Sequence, residues 1–464
     1  MGARKRLMRK SIVPLLVAGL IVAFVLSGVF EVYSRWELSG PAQVAFVILL
    51  IAATLWISEA VPLFVTSFVV LGLGLVWLVP RMRRDGMAIS ESELLAPFFS
   101  DVILLFLGGF VLSAALHKYR LDEQMARWML ARTGRRVPVM LIGVMAVTAV
   151  LSMWLSNTAT AAMMLAICLP IAQQLPADDA HRKAILLAVP FAANIGGLGT
   201  PIGSPPNAIA IQYMQHAGFA PSFGMWMLIG VPGVVVMIGF AWAVLMLVFR
   251  GRQTTIELSG ETARIQWSPS AVVVVAVSAA TVVGWVTSGM HGLAAGTVAL
   301  LPVVAFFGAK ILTVKDLRTI SWDVLLMMGG GLCLGTIISV SGLAAWLVER
   351  LPVEDSDCFV LLVILGSAAC LMSSVMSNTA TANLLMPIIL GLSVENLSPV
   401  LVGVAFACTL AMPLPVSTPP NAIAFSSGEL KVKDMLVPGA IVTVTGLALA
   451  LTTGHWWWDL VGLF

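Results

Sequence analysis

Ser156-Asn157-Thr158-Ala159-Thr160 stands in the middle of apolar sequence and recurs unchanged as Ser377-Asn378-Thr379-Ala380-Thr381. Each copy is followed by a second shared string. Ile202-Gly203-Ser204-Pro205-Pro206-Asn207-Ala208-Ile209-Ala210 is answered by Val416-Ser417-Thr418-Pro419-Pro420-Asn421-Ala422-Ile423-Ala424. The match also reaches back, with Asp101-Val102-Ile103-Leu104 on Asp323-Val324-Leu325-Leu326 and Gly108-Gly109 on Gly330-Gly331. The copies keep a nearly constant separation, so a whole unit is duplicated. Polar residues and helix breakers at matched places in two hydrophobic halves point to the binding site of a membrane transporter.

Hydrophobic residues make up 59% of the 464 and charged residues 11%, against about 25% charged in soluble domains. The fold class read from this is an all-α polytopic membrane protein. The formal charge is +3, and no basic stretch is interleaved with aromatics as a nucleic-acid surface requires. Cys168, Cys333, Cys358, Cys370 and Cys408 are scattered through apolar sequence without metal or redox spacing and read as inert thiols. The five histidines are isolated.

A basic start, Met1 to Lys10, precedes an apolar run over 12–30 that is too long for a signal-peptide core. It reads as a retained first span with a cytoplasmic N-terminus, so 1–40 forms one unit. Residues 41–250 form the first repeat, with spans over 41–136 and a hairpin plus broken helix over 137–250. A polar linker covers 251–267. Residues 268–464 form the second repeat, split likewise at 356/357. Arg120–Arg136 reads as an amphipathic helix on the membrane surface, and His455-Trp456-Trp457-Trp458 as an interfacial aromatic belt.

With the N-terminus inside, the loops that collect Lys and Arg are cytoplasmic, and Arg81, Arg83 and Arg84 are the exception. An odd number of spans per repeat makes the repeat inverted. The expected location is a bacterial inner membrane.

The stretch 138–175 is too long for one span and polar at its centre. Non-helical backbone at membrane depth must be buried in protein or line a wet cavity, and a re-entrant hairpin with Ser-Asn-Thr at its tip satisfies this. Ser156 or Thr158 can cap the returning helix, whose positive dipole end then faces the tip. Helix N-termini bind carboxylates without a full charge, and Asn157, Asn378, Thr158 and Thr379 can donate to one. The broken helices at Pro205-Pro206 and Pro419-Pro420 free backbone carbonyls. With Ser152, Ser156, Ser373 and Ser377 they make a hard oxygen environment. The lack of Asp or Glu at the motifs favours a monovalent ion over Ca²⁺ or Mg²⁺ and weakens proton coupling. Such small polar residues also pack membrane helices together, but the duplication with a matched Pro-Pro-Asn weighs against packing alone. Glu59, Asp101 and Asp323 sit at span ends and read as caps or interfacial charges.

At these residues, and at Trp56-Ile57-Ser58-Glu59-Ala60-Val61-Pro62, the chain resembles the divalent anion/sodium symporter family, which includes dicarboxylate and citrate carriers. The resemblance runs over nearly the whole chain. It implies about eleven spans, two re-entrant hairpins and a homodimer in which a transport domain slides like an elevator against a scaffold. It implies that Asn157, Thr158, Asn378, Thr379 and Pro419 bind substrate carboxylates. One Na⁺ would sit among Ser152, Ser156, Asn157 and Gly203, the other among Ser373, Ser377, Asn378 and Ser417. Ser417 is larger than the small residue expected there, a change that a backbone carbonyl ligand survives. Members that exchange anions without sodium resemble cases with a basic side chain near the cation sites. These motifs hold none, which favours symport.

The expected function is therefore Na⁺-coupled symport of a C4-dicarboxylate. Citrate or sulfate as substrate, sodium-independent exchange, and an anion channel are the other readings. An intramembrane enzyme finds no nucleophile–base pair, since no His or Lys lies near the motif serines in sequence.

Overall fold

The structure is a computed structural model. It describes residues 38–87, 89–219, 221–253, 255, 267–350, 358–390, 392 and 396–463. The expected first span at 12–30, most of the linker and the acidic loop 354–357 lie outside these.

The chain is an all-α polytopic membrane protein. Its helices are α1 (Gly40–Ser58), α2 (Leu63–Arg84), α3 (Asp101–Lys118), α4 (Leu121–Leu130), α5 (Val137–Ser152), α6 (Asn157–Gln173), α7 (His181–Gly196), α8 (Pro205–His216) and α9 (Phe223–Val248). The second half supplies α10 (Pro269–Val286), α11 (Ala295–Gly308), α12 (Trp322–Val340), α13 (Leu343–Arg350), α14 (Cys358–Val375), α15 (Asn378–Leu390), α16 (Ser398–Leu410), α17 (Pro419–Ser426) and α18 (Val432–Leu460). Among the described residues eight helices are long and apolar enough to cross a membrane. α5, α6, α15 and α16 are apolar but shorter, whereas α14, which leads into the second Ser-Asn-Thr, is 18 residues long and counts among the eight.

Packing is reciprocal between the halves. α7 packs on α5 and α6, and α16 packs on α14 and α15. α7 also meets α17, and α16 meets α8. α3 lies along α11, and α12 along α2. A methyl on Gly108 of α3 would stand 2.6 Å from the Ala299 carbonyl oxygen, so only glycine allows that approach. Asp101 heads the same contact. Its Oδ1 accepts the Gly296 N–H at 2.9 Å and so caps the neighbouring helix α11 rather than its own.

α7 and α16 are the most enclosed elements. Every residue from Ala184 to Gly196 is buried, and so is every residue of α16. A helix that is apolar all round has no solvent face to offer. α5 and α6 rest on the first of these, and α14 and α15 on the second.

The tryptophans near the C-terminus do not form one belt. Trp458 is buried with its ring 5.6 Å from Phe406. Trp457 donates its indole N–H to the Leu228 carbonyl at 2.9 Å. Trp456 is exposed. A helix turns successive side chains to different faces, so Trp456 is exposed, Trp457 half-buried and Trp458 buried.

Ion pairs tie loops expected on one face. Lys118 meets Asp316 at 2.8 Å, and Lys183 meets Asp434 at 3.0 Å. The Lys118 hydrogen bond holds the Asp316 carboxyl down at about 2. Burial would raise the Asp179 carboxyl, but N–H donors from Gln253, His181 and Arg252 outweigh it and leave it low. Two of the three exceptional arginines are ion-paired: Arg81 with Asp85 at 3.3 Å and Arg83 with Glu91 at 3.1 Å.

Candidate functional site

The first hairpin turns between Ser152, where α5 ends, and Asn157, where α6 begins. Ser156 has extended backbone, and its Oγ accepts the Ala159 N–H at 3.1 Å. This is an N-cap, and it leaves the first N–H groups of α6 without intrahelical acceptors.

Behind the tip, Ser152 Oγ lies 2.5 Å from Asn157 Oδ1 and 2.8 Å from the Ala193 carbonyl oxygen of α7. One hydroxyl proton cannot serve both acceptors. The amide atom of Asn157 nearest the break stands 3.0 Å from the Gly203 carbonyl oxygen and 3.3 Å from that of Ala193. The amide therefore has two settings. With nitrogen inward it donates to those oxygens, and the cage closes on itself. With oxygen inward, four oxygens of Ser152, Asn157, Ala193 and Gly203 converge with one proton among them. That is an environment for a hard monovalent cation.

The second half repeats the arrangement. Ser373 Oγ lies 2.6 Å from Asn378 Oδ1 and 2.9 Å from the Cys408 carbonyl oxygen of α16. Ser373 corresponds to Ser152, Asn378 to Asn157 and Cys408 to Ala193.

The breaks differ in one respect from what the prolines suggest. Pro205 and Pro206 occupy the first turn of α8, and Pro419 and Pro420 that of α17. There the missing N–H costs nothing, because first-turn donors have no partner in any case. The prolines start the returning helices. The preceding helices stop at Gly196 and Leu410. Nor are the freed carbonyls all available to a cation. Asn207 Nδ2 donates to those of Gly197 and Thr200 at 2.8 and 2.9 Å. Asn421 Nδ2 donates to those of Met412 and Leu414, both at 3.0 Å. The asparagine of each Pro-Pro-Asn string thus ties its break together. The carbonyls left facing the hairpins are those of Ala193, Gly203 and Cys408.

Ser417 finds its reason here. In the first half the Thr200 hydroxyl donates to the Met153 carbonyl of the hairpin at 2.5 Å. In the second half the matching carbonyl, of Ser374, accepts from Ser417 Oγ at 2.8 Å. Leu414 stands where Thr200 would correspond, so Ser417 supplies the hydroxyl that leucine lacks. At Gly203 the same substitution has no room, since a methyl there would come within 2.6 Å of the Gly197 carbonyl oxygen.

Of the other expected residues, Asn157 and Asn378 are half-buried, Thr158 and Pro419 are exposed and Thr379 is buried. Ser377 is half-buried, and its carbonyl accepts the Thr381 N–H at 2.9 Å. α17, headed by Pro419, packs on α6. A cavity of about 740 Å³ is lined by Leu155, by Ser156 and Ala159 of the first motif, and by His117, Arg120 and Arg127.

The motif reading gave no role to Ser204 and Thr418 and did not reach Asn194 and Thr409, yet these four link the two breaks. Asn194 Nδ2 donates to Thr418 Oγ1 at 3.0 Å and to Asn421 Oδ1 at 3.3 Å. Ser204 Oγ and Thr409 Oγ1 are 3.0 Å apart. An asparagine within the apolar run of α7 was the signal available for Asn194.

The profile of the citrate transporter family matches residues 53–396. The sodium-dependent dicarboxylate transporter SdcS of Staphylococcus aureus (strain USA300) is 35% identical over 428 aligned positions, covering 83% of this chain and 80% of that protein. The SdcS of strain RF122 is 34% identical over the same shares. Among solved structures, MtrF of Neisseria gonorrhoeae matches with a TM-score of 0.55 at 11% identity over 89% of this chain and 95% of that one. The YdaH transporter of Alcanivorax borkumensis matches with a TM-score of 0.50 at 12% identity over 79% and 87%. At such identity these two show likeness of fold alone.

Proposed function

The chain belongs to the citrate transporter family, and from that membership we propose that it is a secondary active transporter of dicarboxylates coupled to Na⁺. The favoured substrates are succinate, fumarate and malate. One observation carries the reading: two matched cages in which a serine, an asparagine and a helix carbonyl converge without any fixed charge.

In this reading Na⁺ sits in each cage among Ser152, Ser156, Asn157 and Gly203, or Ser373, Ser377, Asn378 and Ser417. Ser156 and Ser377 shape the tips. A cation turns the Asn157 oxygen inward, which points the amide N–H groups away from the cage, toward an incoming carboxylate. Without the cation the amide reverses to satisfy the carbonyls and offers the anion an oxygen instead. Sodium thereby sets whether the asparagine attracts or repels substrate. Asn378 works alike, Thr158 and Thr379 add hydroxyl donors, and Pro419 lines the site. A fixed Lys or Arg would hold the anion too hard to release, whereas dipoles and a transient cation do not.

The reciprocal packing supports an inverted repeat whose hairpins enter from opposite faces, the first from the cytoplasm. The same reading takes the unit to be a homodimer in a bacterial inner membrane, with elevator movement of hairpins and broken helices. Citrate is the second substrate reading, favoured by the family profile.

Purified protein in liposomes should accumulate labelled succinate only under an inward Na⁺ gradient. A competition panel of fumarate, malate, citrate and sulfate ranks the substrates. Equal uptake with choline in place of Na⁺, or strict dependence on internal anion, would remove the symport reading.

A further inference from the structure

We infer that Asn194 and Thr409 are positioning residues that couple the two cation cages to each other. Neither contributes an atom to a cage. Each follows directly on the residue that does, since Ala193 and Cys408 supply the carbonyls that accept from Ser152 and Ser373. Each side chain then reaches across to the other half. Asn194 grips the second break at Thr418 and Asn421. Thr409 meets Ser204, next to Gly203 of the first cage. All of these side chains are buried, so water does not replace the bonds, and losing one leaves polar groups unmet.

The geometry makes a reciprocal brace. A cation pulling on the Ala193 carbonyl shifts the backbone that carries Asn194, and Asn194 holds the break of the second cage. The reverse path runs from Cys408 through Thr409 to Ser204. The brace is also uneven. Asn421 Oδ1 accepts from Asn194, whereas Asn207 Oδ1 at the matched place is buried without a donor. Thr409 spends its proton on the Ala405 carbonyl of its own helix, 3.0 Å away, and leaves the Ser204 hydroxyl to donate across the gap. The Asn194 contact is therefore the stronger of the two links, and whatever coupling the pair carries acts equally from either cage. Filling one cage orders the other, and sodium binding becomes cooperative.

The inference rests on the sodium-coupled reading above, and its test separates the two. Na⁺ activation of succinate uptake is measured in liposomes, with Na⁺-dependent thermal stabilisation in detergent as a second readout free of substrate. The wild type should respond to Na⁺ with a Hill coefficient above one. Thr409→Val keeps the shape and removes the hydroxyl. It should bring the Hill coefficient toward one and raise the half-saturating Na⁺ by about fivefold, the lower end of ordinary coupling, in both readouts. Thr409→Ser should restore both. Asn194→Ala should act in the same direction and more strongly. A wild type without any Na⁺ response overturns the sodium reading and the brace with it. A cooperative wild type with unchanged cooperativity in Thr409→Val and Asn194→Ala overturns the brace alone.

Discussion

Gly203→Ala is a one-methyl change whose cost can be worked from the geometry. The added carbon would stand 2.6 Å from the Gly197 carbonyl oxygen and 3.0 Å from its Cα. Neither atom belongs to a side chain that can rotate away. Gly197 is itself held, because its carbonyl accepts from Asn207 at 2.8 Å. The break must therefore open, carrying the Gly203 carbonyl away from Asn157. Forcing a methyl into a packed site costs about 1–3 kcal/mol, which corresponds to about five- to 150-fold in an equilibrium constant. That loss falls on a cation ligand, so it should appear as a rise of this size in half-saturating Na⁺ for succinate uptake. The shift in thermal unfolding produced by NaCl should shrink in parallel. Ser417→Ala is the control at the matched place. It keeps its Cβ and loses two bonds, to the Ser374 carbonyl and from the Leu414 N–H, each worth about 1 kcal/mol, so its effect should not exceed that of Gly203→Ala. Wild-type sodium dependence and wild-type sodium stabilisation in Gly203→Ala would refute the cage geometry.

Ser373→Ala removes the hydroxyl between Asn378 and the Cys408 carbonyl. It should raise half-saturating Na⁺ by about tenfold, from the loss of one buried hydrogen-bonding group, with the elution volume of the folded protein unchanged. Asn157→Ala and Asn378→Ala should abolish sodium-coupled uptake while that elution volume stays constant, and collapse of the protein instead would favour a packing role. Asp316 gives a pH prediction. Its folded carboxyl is lowered to about 2 by Lys118, so its stabilisation is complete above the ordinary carboxylate range. It fades as pH falls from about 4 toward 2. The pair is partly exposed, so its worth is under about 1 kcal/mol. Asp316→Asn should flatten this part of the unfolding-midpoint profile, and an unchanged acid limb would show that the bond carries no weight.

The duplicated strings, read alone, determined a good deal. Polar tips inside apolar segments must be turned back or buried, since lipid offers no hydrogen-bond partner. That places a turn at each Ser-Asn-Thr and a discontinuity just before each Pro-Pro pair, and the structure starts helices at Asn157, Asn378, Pro205 and Pro419. Composition determined the all-α membrane class. The role of Pro-Pro-Asn was legible only in part. Proline marks a discontinuity, but whether it ends one helix or starts the next depends on which backbone groups find partners. That was settled by Asn207 and Asn421 reaching back across their breaks. Ser417 looked like a misfit because sequence alignment pairs it with Gly203. In space it does the work of Thr200, which lies at another position in the string. Asn194 and Thr409 were hidden for the same reason. Their partners, Thr418, Asn421 and Ser204, lie in the other half of the chain, far away in sequence. Local periodicity encodes which residues are polar and where helices begin. Only the meeting of α7 with α17, and of α16 with α8, decides which polar groups satisfy one another, because a hydrogen bond acts over about 3 Å and takes no account of separation along the chain.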